Sequence, residues 1–141
     1  MLTVGMNGLG FFRIIEAAFA PLLAHLGFSM DRPRISGRVY SASFSNQRCS
    51  VNVSFEPGDE RLLVLVFTKE DGKLSDIDDR AKTPRLADLN RRYMRQVLLQ
   101  ERTANENAFK SISADDTQER LLLKYAKELR LVLPRHLSPK S

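Results

Sequence analysis

The stretch CSVNVSFEPGDERLLVLVFT, residues 49–68, decides the fold. Residues 49–55 alternate apolar with polar side chains, and this period of two predicts a strand with one buried and one wet face. Residues 56–59 contain a Pro-Gly pair, which predicts a turn. A second strand is predicted at residues 61–68, where six consecutive apolar side chains indicate a central strand that is covered on both faces.

A third strand is predicted just before this stretch, at residues 39–44. The polar residues 45–47 predict the turn that joins it to the next strand. Residues 28–30 predict a further short edge strand. Because strands joined by tight turns pair antiparallel, the sequence predicts an antiparallel meander of three to four strands.

The segment before the sheet, residues 8–26, is predicted to be an amphipathic helix. Its apolar residues fall at helical spacings and define one wide apolar face. Pro21 lacks a backbone donor and should kink or split the helix, and Gly27 is suited to end it in the left-handed conformation. The predicted buried set is Phe11, Ile14, Ile15, Ala18, Phe19, Leu22, Leu23 and Leu26.

The chain after residue 79 is predicted to be helical. Thr83 and Pro84 predict a helix start, with threonine as the cap and proline at the first helical position. An apolar stripe continues to about Arg102, and a polar loop is expected at residues 103–114. A final helix follows and is expected to end by Pro134.

These elements predict an α+β fold in one domain, residues 1–141. The N-terminal helix and two C-terminal helices are expected to pack on the antiparallel sheet. Residues 1–7 and 135–141 are expected to be flexible ends.

The composition is ordinary for a globular protein. The chain has 141 residues, of which 43% are hydrophobic and 28% charged. Its one cysteine excludes an intramolecular disulfide, which favours a reducing compartment, and we expect a cytoplasmic location. The uncharged run at residues 17–30 is too short to span a bilayer, so no membrane association is expected.

The positive charge is concentrated in the second half of the chain. Residues 1–79 carry 8 Lys and Arg against 10 Asp and Glu, whereas residues 80–141 carry 14 against 7. A basic surface suits nucleic acid, an acidic protein or an anionic membrane, and charge alone does not choose among them.

Residue types that carry chemistry are sparse. His25 and His136 are far apart in sequence and have no ligand-like neighbours. Cys49 falls on the apolar phase of a strand, where a small buried core residue is expected. No phosphate-binding loop and no Gly-x-Ser-x-Gly turn occurs. The sequence therefore predicts no catalytic residue, no metal ion and no cofactor, and a protein that is not an enzyme.

The most acidic segment contains Asp76, Asp78 and Asp79. Carboxylates grouped in a loop are typical ligands of a divalent cation, but the segment lacks the glycine and the distal glutamate of a calcium loop. We interpret it as a solvated loop, with contact to a protein partner as the alternative.

Four arginines cluster around the helix predicted after Pro84. At three- and four-residue spacings they can share a face, although Asp88 lies among them and can pair with them. Tyr93 falls on the apolar stripe, so it is expected in the core rather than as a stacking platform for bases. We interpret the cluster as a solvated face, then as a protein contact, and then as a nucleic-acid contact. The four are Arg85, Arg91, Arg92 and Arg95.

Three segments carry a resemblance to a known group of proteins. They are Phe19-x-x-Leu22-Leu23-x-x-Leu26-Gly27-Phe28, Val51-x-Val53-x-Phe55 and Leu86-x-Asp88-Leu89-x-x-x-Tyr93. With them the chain resembles small bacterial proteins of the immunity type, which neutralise toxins of contact-dependent and polymorphic toxin systems. The resemblance implies a module that binds and occludes a toxin domain without chemistry of its own. The basic net charge disfavours a nuclease as that toxin, or places the acidic loop at the contact.

Two other classes remain as alternatives. A nucleic-acid-associated regulator would use the basic C-terminal half and would bind with strong salt dependence. A secretion-chaperone-like protein would share the order of helix and sheet, but such proteins are usually acidic dimers. The oligomeric state of this chain is left open.

Overall fold

The computed structural model describes residues 6–58 and 61–138. Helices combine with one antiparallel sheet, so the predicted α+β class is confirmed. The helical elements are α1 (Gly8–Ile14), a π-helical turn (Ile15–Phe19), α2 (Ala20–His25), α3 (Leu86–Tyr93), a 3-10 turn (Met94–Gln96), α4 (Leu99–Ala108) and α5 (Thr117–Leu137). The strands are β1 (Ser29–Met30), β2 (Arg34–Ser36), β3 (Val39–Ser45), β4 (Cys49–Glu56), β5 (Arg61–Glu70) and β6 (Lys73–Leu74).

The centre of the sheet is the antiparallel meander β3–β4–β5, as predicted. Val51 of β4 lies opposite Phe44 of β3 on one side and Val66 of β5 on the other. The expected edge strand is present as β1, which pairs with β3. The short strands β2 and β6 have no sequence signal, and they extend the sheet to six strands instead of three to four.

The two faces of the sheet differ in character. Paired residues of neighbouring strands lie on the same face, and one face forms a core with the helices. On the opposite face of β5, Leu65 is buried, whereas Leu63 and Phe67 are only half-buried. The expectation that β5 is covered on both faces is therefore met only at Leu65. The strand residues of the core are Ala42, Phe44, Cys49, Val51, Val53, Phe55, Val64 and Val66.

The N-terminal helix, Gly8–His25, buries the face that the sequence predicts. Seven of the eight predicted residues are buried, and Leu26 is half-buried against the core. The π-helical turn lies directly before Pro21, with the Ala20 N–H donating to the Ile15 carbonyl. A regular turn would press the proline ring against the Ala17 carbonyl, so the wider turn relieves a clash. Pro21 thus splits the helix, and Gly27 ends it at a φ of +88°, both as expected.

The same segment has the length and apolar composition of a membrane span. Its mean hydropathy is 1.2, and 39% of its residues are buried inside the protein. The largest of these, Phe11, Phe19 and Leu23, are fully buried in the core. In this structure the apolar face of the N-terminal helix packs in the hydrophobic core.

A short extended segment, residues 82–85, runs along the edge of β5 before α3 begins. Val66 donates its N–H to the Pro84 carbonyl at 3.0 Å, and Thr68 donates to the Lys82 carbonyl at 2.9 Å. Through these two hydrogen bonds the segment pairs with part of β5.

The predicted helix start at Thr83 and Pro84 is wrong for that reason. Thr83 is fully buried, and its hydroxyl donates to the Asp76 carbonyl at 2.8 Å. Helix α3 instead begins at Leu86, where the Asp88 carboxylate accepts the Arg85 N–H at 2.9 Å. The N-terminal cap of α3 is therefore supplied by Asp88, a residue of the first turn of the helix itself.

Three helices rather than two follow the sheet. The stripe predicted to continue to Arg102 is interrupted at Val97, which is extended with ψ of 124° and buried. Glu101 then caps a new helix, α4, by accepting the Leu98 N–H at 3.0 Å. The loop predicted at residues 103–114 is consequently helical as far as Ala108.

The ends of the described chain are held by packing and caps. Helix α5 continues through Pro134 to Leu137 because Val132 and Leu133 remain fully buried beside the proline. Met6 is buried, and the Asn7 carboxamide caps α1. Of the ends expected to be flexible, residues 1–5 and 139–141 lie outside the described residues.

Candidate functional site

The acidic loop is held together by hydrogen bonds between its own residues. The Asp76 carboxylate accepts the Asp78 N–H at 2.9 Å, and the Asp79 carboxylate accepts the Ala81 N–H at 3.2 Å. The loop is fastened at its base by a 2.6 Å hydrogen bond between the hydroxyls of Ser75 and Thr83. Two of the three predicted carboxylates thus stabilise the loop itself, and all three aspartates are exposed.

The arginine cluster is divided by Asp88. Its carboxylate accepts Arg80 Nη2 at 3.1 Å and also pairs with Arg91. The Arg85 backbone N–H, followed by the Arg80 guanidinium, holds the pKa of Asp88 below its usual value. Pairing within the cluster is therefore confirmed for Arg91, and it adds Arg80, which the sequence analysis did not include.

Arg92, in the last turn of α3, and Arg95, in the 3-10 turn that follows, are both exposed. Arg92 lies near His136, whose pKa is lowered mainly by burial and further by that arginine. His136 Nδ1 is 3.3 Å from the Tyr93 hydroxyl. The structure thus brings this histidine to α3, but it leaves the four predicted arginines in different environments rather than in one stripe.

The one cysteine is a core residue. Cys49 is 4% exposed, and burial raises its pKa to about 11, while Arg48 and Lys69 act weakly in the opposite direction. A nucleophilic cysteine needs a lowered pKa. Cys49 therefore has the opposite of the electrostatics that such chemistry requires.

We expect native Cys49 to react with a disulfide reagent such as DTNB at least about a hundredfold more slowly than the same thiol in urea at pH 8. A thiol with a pKa near 11 is about a thousandth ionised at that pH, against roughly a quarter for an ordinary thiol. Stopped-flow absorbance measures both rates. A native rate equal to the rate in urea would contradict the assignment of Cys49 to the core.

Metal-binding geometry is lacking within residues 6–58 and 61–138. In that part of the chain, no three His, Cys, Asp or Glu side chains are grouped closely enough to hold a metal ion.

The surface carries an apolar groove of about 650 Å³ that is open to solvent. It lies between the N-terminal helix, α4 and α5, and we call it the helical groove. Helix α4 contributes Ala104 and Ala108 at its exposed side, and the loop after α4 contributes Phe109. The remaining apolar lining residues are Ala17, Ala18, Pro21, Leu22, Leu26, Ile112, Leu131 and Pro134.

The polar side chains of the helical groove are held by one ion pair and one further hydrogen bond. Arg135 Nη2 donates to both oxygens of Glu101, at 2.9 and 2.8 Å. This arginine, followed by the Leu98 N–H, lowers the pKa of Glu101. Arg130 Nη1 donates to the Asn105 carboxamide at 2.9 Å, and Asn105 itself is 2% exposed. These bonds join α4 to α5, so the groove is held in shape.

Sequence reasoning does not find this groove. Its walls come from three segments that are distant in sequence, and part of one wall was predicted to be loop. The sequence does place small residues, Ala17, Ala104 and Ala108, at exposed helical positions. They indicate a groove only once the fold shows that the helices carrying them lie side by side.

No protein-family model matches the chain, and it matches neither a curated protein nor a solved structure.

Proposed function

We propose that this chain is a non-catalytic protein-binding module that receives a short amphipathic helix of its partner in the helical groove. The observation that carries the proposal is the groove itself, whose walls are apolar and whose polar side chains include the ion pair of Glu101 and Arg135. An amphipathic helix placed in an apolar groove is a recurrent mode of protein recognition.

The dimensions of the groove favour a short helix. Its wall on the N-terminal helix extends from Ala17 to Leu26, and its wall on α4 extends from Glu101 to Ala108. At 1.5 Å per residue these walls are about 10 to 13 Å long, or about two helical turns. Alanines along the walls permit the close backbone approach that helix packing requires.

An exposed apolar residue stands directly before α4, at the end of the groove where Glu101 lies. Leu98, the N-cap residue of α4, is three residues before Glu101 and is 55% exposed. Exposed apolar side chains beside a groove are typical of a contact surface. A partner helix that passes Glu101 would cover Leu98.

The immunity-type resemblance makes a toxin domain the first partner to test, and the proposed location is the cytoplasm. Nucleic acid is the less favoured ligand because Arg91 is paired with Asp88, and Arg85 has its Nε buried. The predicted cluster therefore does not present its four arginines as one positive stripe to a phosphate backbone.

The test begins with affinity capture from a lysate of the source cell, with and without nuclease treatment, followed by purification of the captured protein. Isothermal titration calorimetry then compares the wild type with Ala104→Arg. We expect a one-to-one complex that Ala104→Arg weakens at least about tenfold, because a charge is placed in an apolar contact.

The matched control is Asn107→Arg, which adds the same side chain to an exposed position of α4 outside the groove. It should bind like the wild type. Equal binding by Ala104→Arg and Asn107→Arg would exclude the groove as the contact. Loss of binding only on replacing Asp76, Asp78 and Asp79 with alanine would move the contact to the acidic loop, and recovery of nucleic acid alone would refute the protein-binding function.

A further inference from the structure

Two leucines are exposed to solvent where α4 begins. Leu98, the N-cap residue, is 55% exposed, and Leu99, the first residue of the helix, is 78% exposed. Among the large apolar residues of 6–58 and 61–138, they are the one pair of sequence neighbours that are both exposed. Neither lines the helical groove. Apolar side chains grouped at the surface in this way are typical of a contact site.

Arginines flank the two leucines. Leu99 and Arg102 are three residues apart in α4, so their side chains are neighbours on the helix surface. The Arg102 guanidinium donates to the Met94 carbonyl at 3.3 Å, and this bond joins the start of α4 to the 3-10 turn. Arg95 belongs to that turn and directly follows Met94. We call Arg95, Leu98, Leu99 and Arg102 the leucine corner.

The positive charge of the leucine corner is not neutralised within the described part of the chain. Arg95 and Arg102 are both exposed, and neither forms a salt bridge with a carboxylate of residues 6–58 or 61–138. Glu101 is the one acidic residue between them in sequence, and both of its oxygens accept from Arg135. The corner therefore presents apolar side chains together with two cationic groups that can pair with an anion.

An anionic lipid surface matches both features. Interfacial binding depends on the apolar area that enters the headgroup region and on the attraction of basic residues to anionic lipids. Arginine can place its guanidinium at a lipid phosphate while its stem lies along apolar surface. A nucleic acid would pair with the arginines but would leave the leucines against a polar backbone, and a protein would need an acidic surface with an apolar pocket of matching shape.

We propose that the leucine corner docks on an anionic membrane surface, with the leucines inserted among the headgroups and the arginines paired with lipid phosphates. The cytoplasmic leaflet has a negative surface potential, which agrees with the cytoplasmic location proposed above. The expectation of no membrane association came from the length of residues 17–30, which bears on spanning a bilayer and not on contact with its surface. This site goes beyond the proposed function because it needs no protein partner.

The binding test is co-sedimentation of the full chain with sucrose-loaded vesicles. One set is phosphatidylcholine alone, and the other contains about 30% phosphatidylglycerol, an anionic lipid. We expect half of the protein to bind the anionic vesicles at about 1 mM lipid, which is weaker than binding through one myristoyl chain. Binding to the neutral vesicles should be at least about tenfold weaker. Salt at about 1 M should release the protein, because it shortens the Debye length to about 3 Å.

The role of the leucines is tested by Leu99→Ser. It should weaken binding to the anionic vesicles at least about fivefold, because apolar burial is lost. Leu98 is less suitable, since a partner helix in the helical groove would cover it too. The matched control is Leu9→Ser, which removes an 82% exposed leucine from α1 and should bind like the wild type.

The role of the arginines is tested by Arg102→Gln, which should weaken binding about fivefold, the usual effect of one basic residue at an anionic membrane. The matched control is Arg120→Gln, at an exposed position near the start of α5. At 1.5 Å per residue, Arg120 lies about 22 Å along α5 from Arg135, the partner of Glu101. This distance exceeds the Debye length of about 8 Å at physiological salt, so the control should bind like the wild type.

Insertion has a readout of its own, because the chain contains no tryptophan. The fluorescence of Leu99→Trp should shift to shorter wavelength when anionic vesicles are added, and brominated lipid should quench it, since tryptophan enters the membrane interface. Leu9→Trp is the control, and its emission should not change.

Equal binding to neutral and anionic vesicles, or equal binding by the wild type and Leu99→Ser, would overturn the proposal. An unshifted emission of Leu99→Trp in vesicles that do sediment the protein would overturn it as well. If the vesicles bind no protein and Leu99→Ser instead weakens the complex with the captured protein, the leucine corner is a protein contact and the proposal is wrong. Vesicle binding needs no captured protein, so this proposal and the helical groove can fail separately.

Discussion

Replacing Phe11 with alanine is expected to lower the free energy of unfolding by about 4 kcal/mol, the usual range for a buried phenylalanine. Phe11 is completely buried where the N-terminal helix meets the sheet. Its ring lies parallel to Phe55 at 6.2 Å and to Tyr40 at 6.3 Å, and it meets Phe12 edge-on at 5.0 Å. Removal of the ring opens a cavity among three aromatic neighbours. Urea unfolding monitored by circular dichroism measures the loss.

The matched control for this change is Leu9→Ala. Leu9 belongs to the same helix but is 82% exposed, so its loss should cost less than about 0.5 kcal/mol. Phe11→Leu, which keeps most of the apolar burial, should give an intermediate cost of about 1.5 kcal/mol. Similar losses for Leu9→Ala and Phe11→Ala would show that the helix does not pack on the sheet by this face.

The difference between buried Phe11 and exposed Leu9 shows why the N-terminal helix could be predicted from the sequence. The period that separates Phe11, Ile14 and Phe19 from Glu16 is a local property of the sequence, and one face of an amphipathic helix has to be buried. The alternation along β4 is equally local. Where burial follows the period of one element, the pattern predicts both the element and its buried face.

The C-terminal half was predicted less well because tertiary contacts override local signals there. Thr83 and Pro84 have the composition of a helix start, but residues 82–85 are extended along β5 and Thr83 is buried. The interruption at Val97 likewise depends on burial of that side chain, which its neighbours in sequence do not indicate. Residue preferences at helix ends are weak compared with such contacts.

The candidate sites were the least predictable part of the molecule. The charged residues are evident in the sequence, but whether each can bind a ligand depends on which side chains lie beside it in the folded protein. Both Arg91 and Arg92 are exposed, but Arg91 pairs with Asp88, whereas Arg92 lies near His136. The helical groove combines three segments that are distant in sequence and that meet only in the folded protein.

Replacing Asp88 with alanine is expected to lower the free energy of unfolding by about 2 kcal/mol, because the carboxylate is a helix cap and also a charged acceptor. It accepts the Arg85 N–H at 2.9 Å and Arg80 Nη2 at 3.1 Å, and its side chain is only 11% exposed. Asp88→Asn keeps an acceptor for the cap but loses the charge, so a smaller loss of about 1 kcal/mol in the free energy of unfolding is expected. Asp78→Ala, in the exposed loop, is the control and should cost less than about 0.5 kcal/mol.

The contribution of Asp88 should disappear in acid. Its pKa is lowered in the folded protein, first by the Arg85 N–H and then by Arg80, so the unfolded chain binds the proton more readily. The stabilisation is therefore complete above the unfolded pKa of about 3.9 and is lost as the pH falls through the lower folded value. Urea unfolding at pH 7 and pH 3 should show the difference between the wild type and Asp88→Asn becoming smaller. A difference that stays constant between these pH values would mean that the charge of Asp88 does not stabilise the fold, and that its part in this protein is limited to the helix cap.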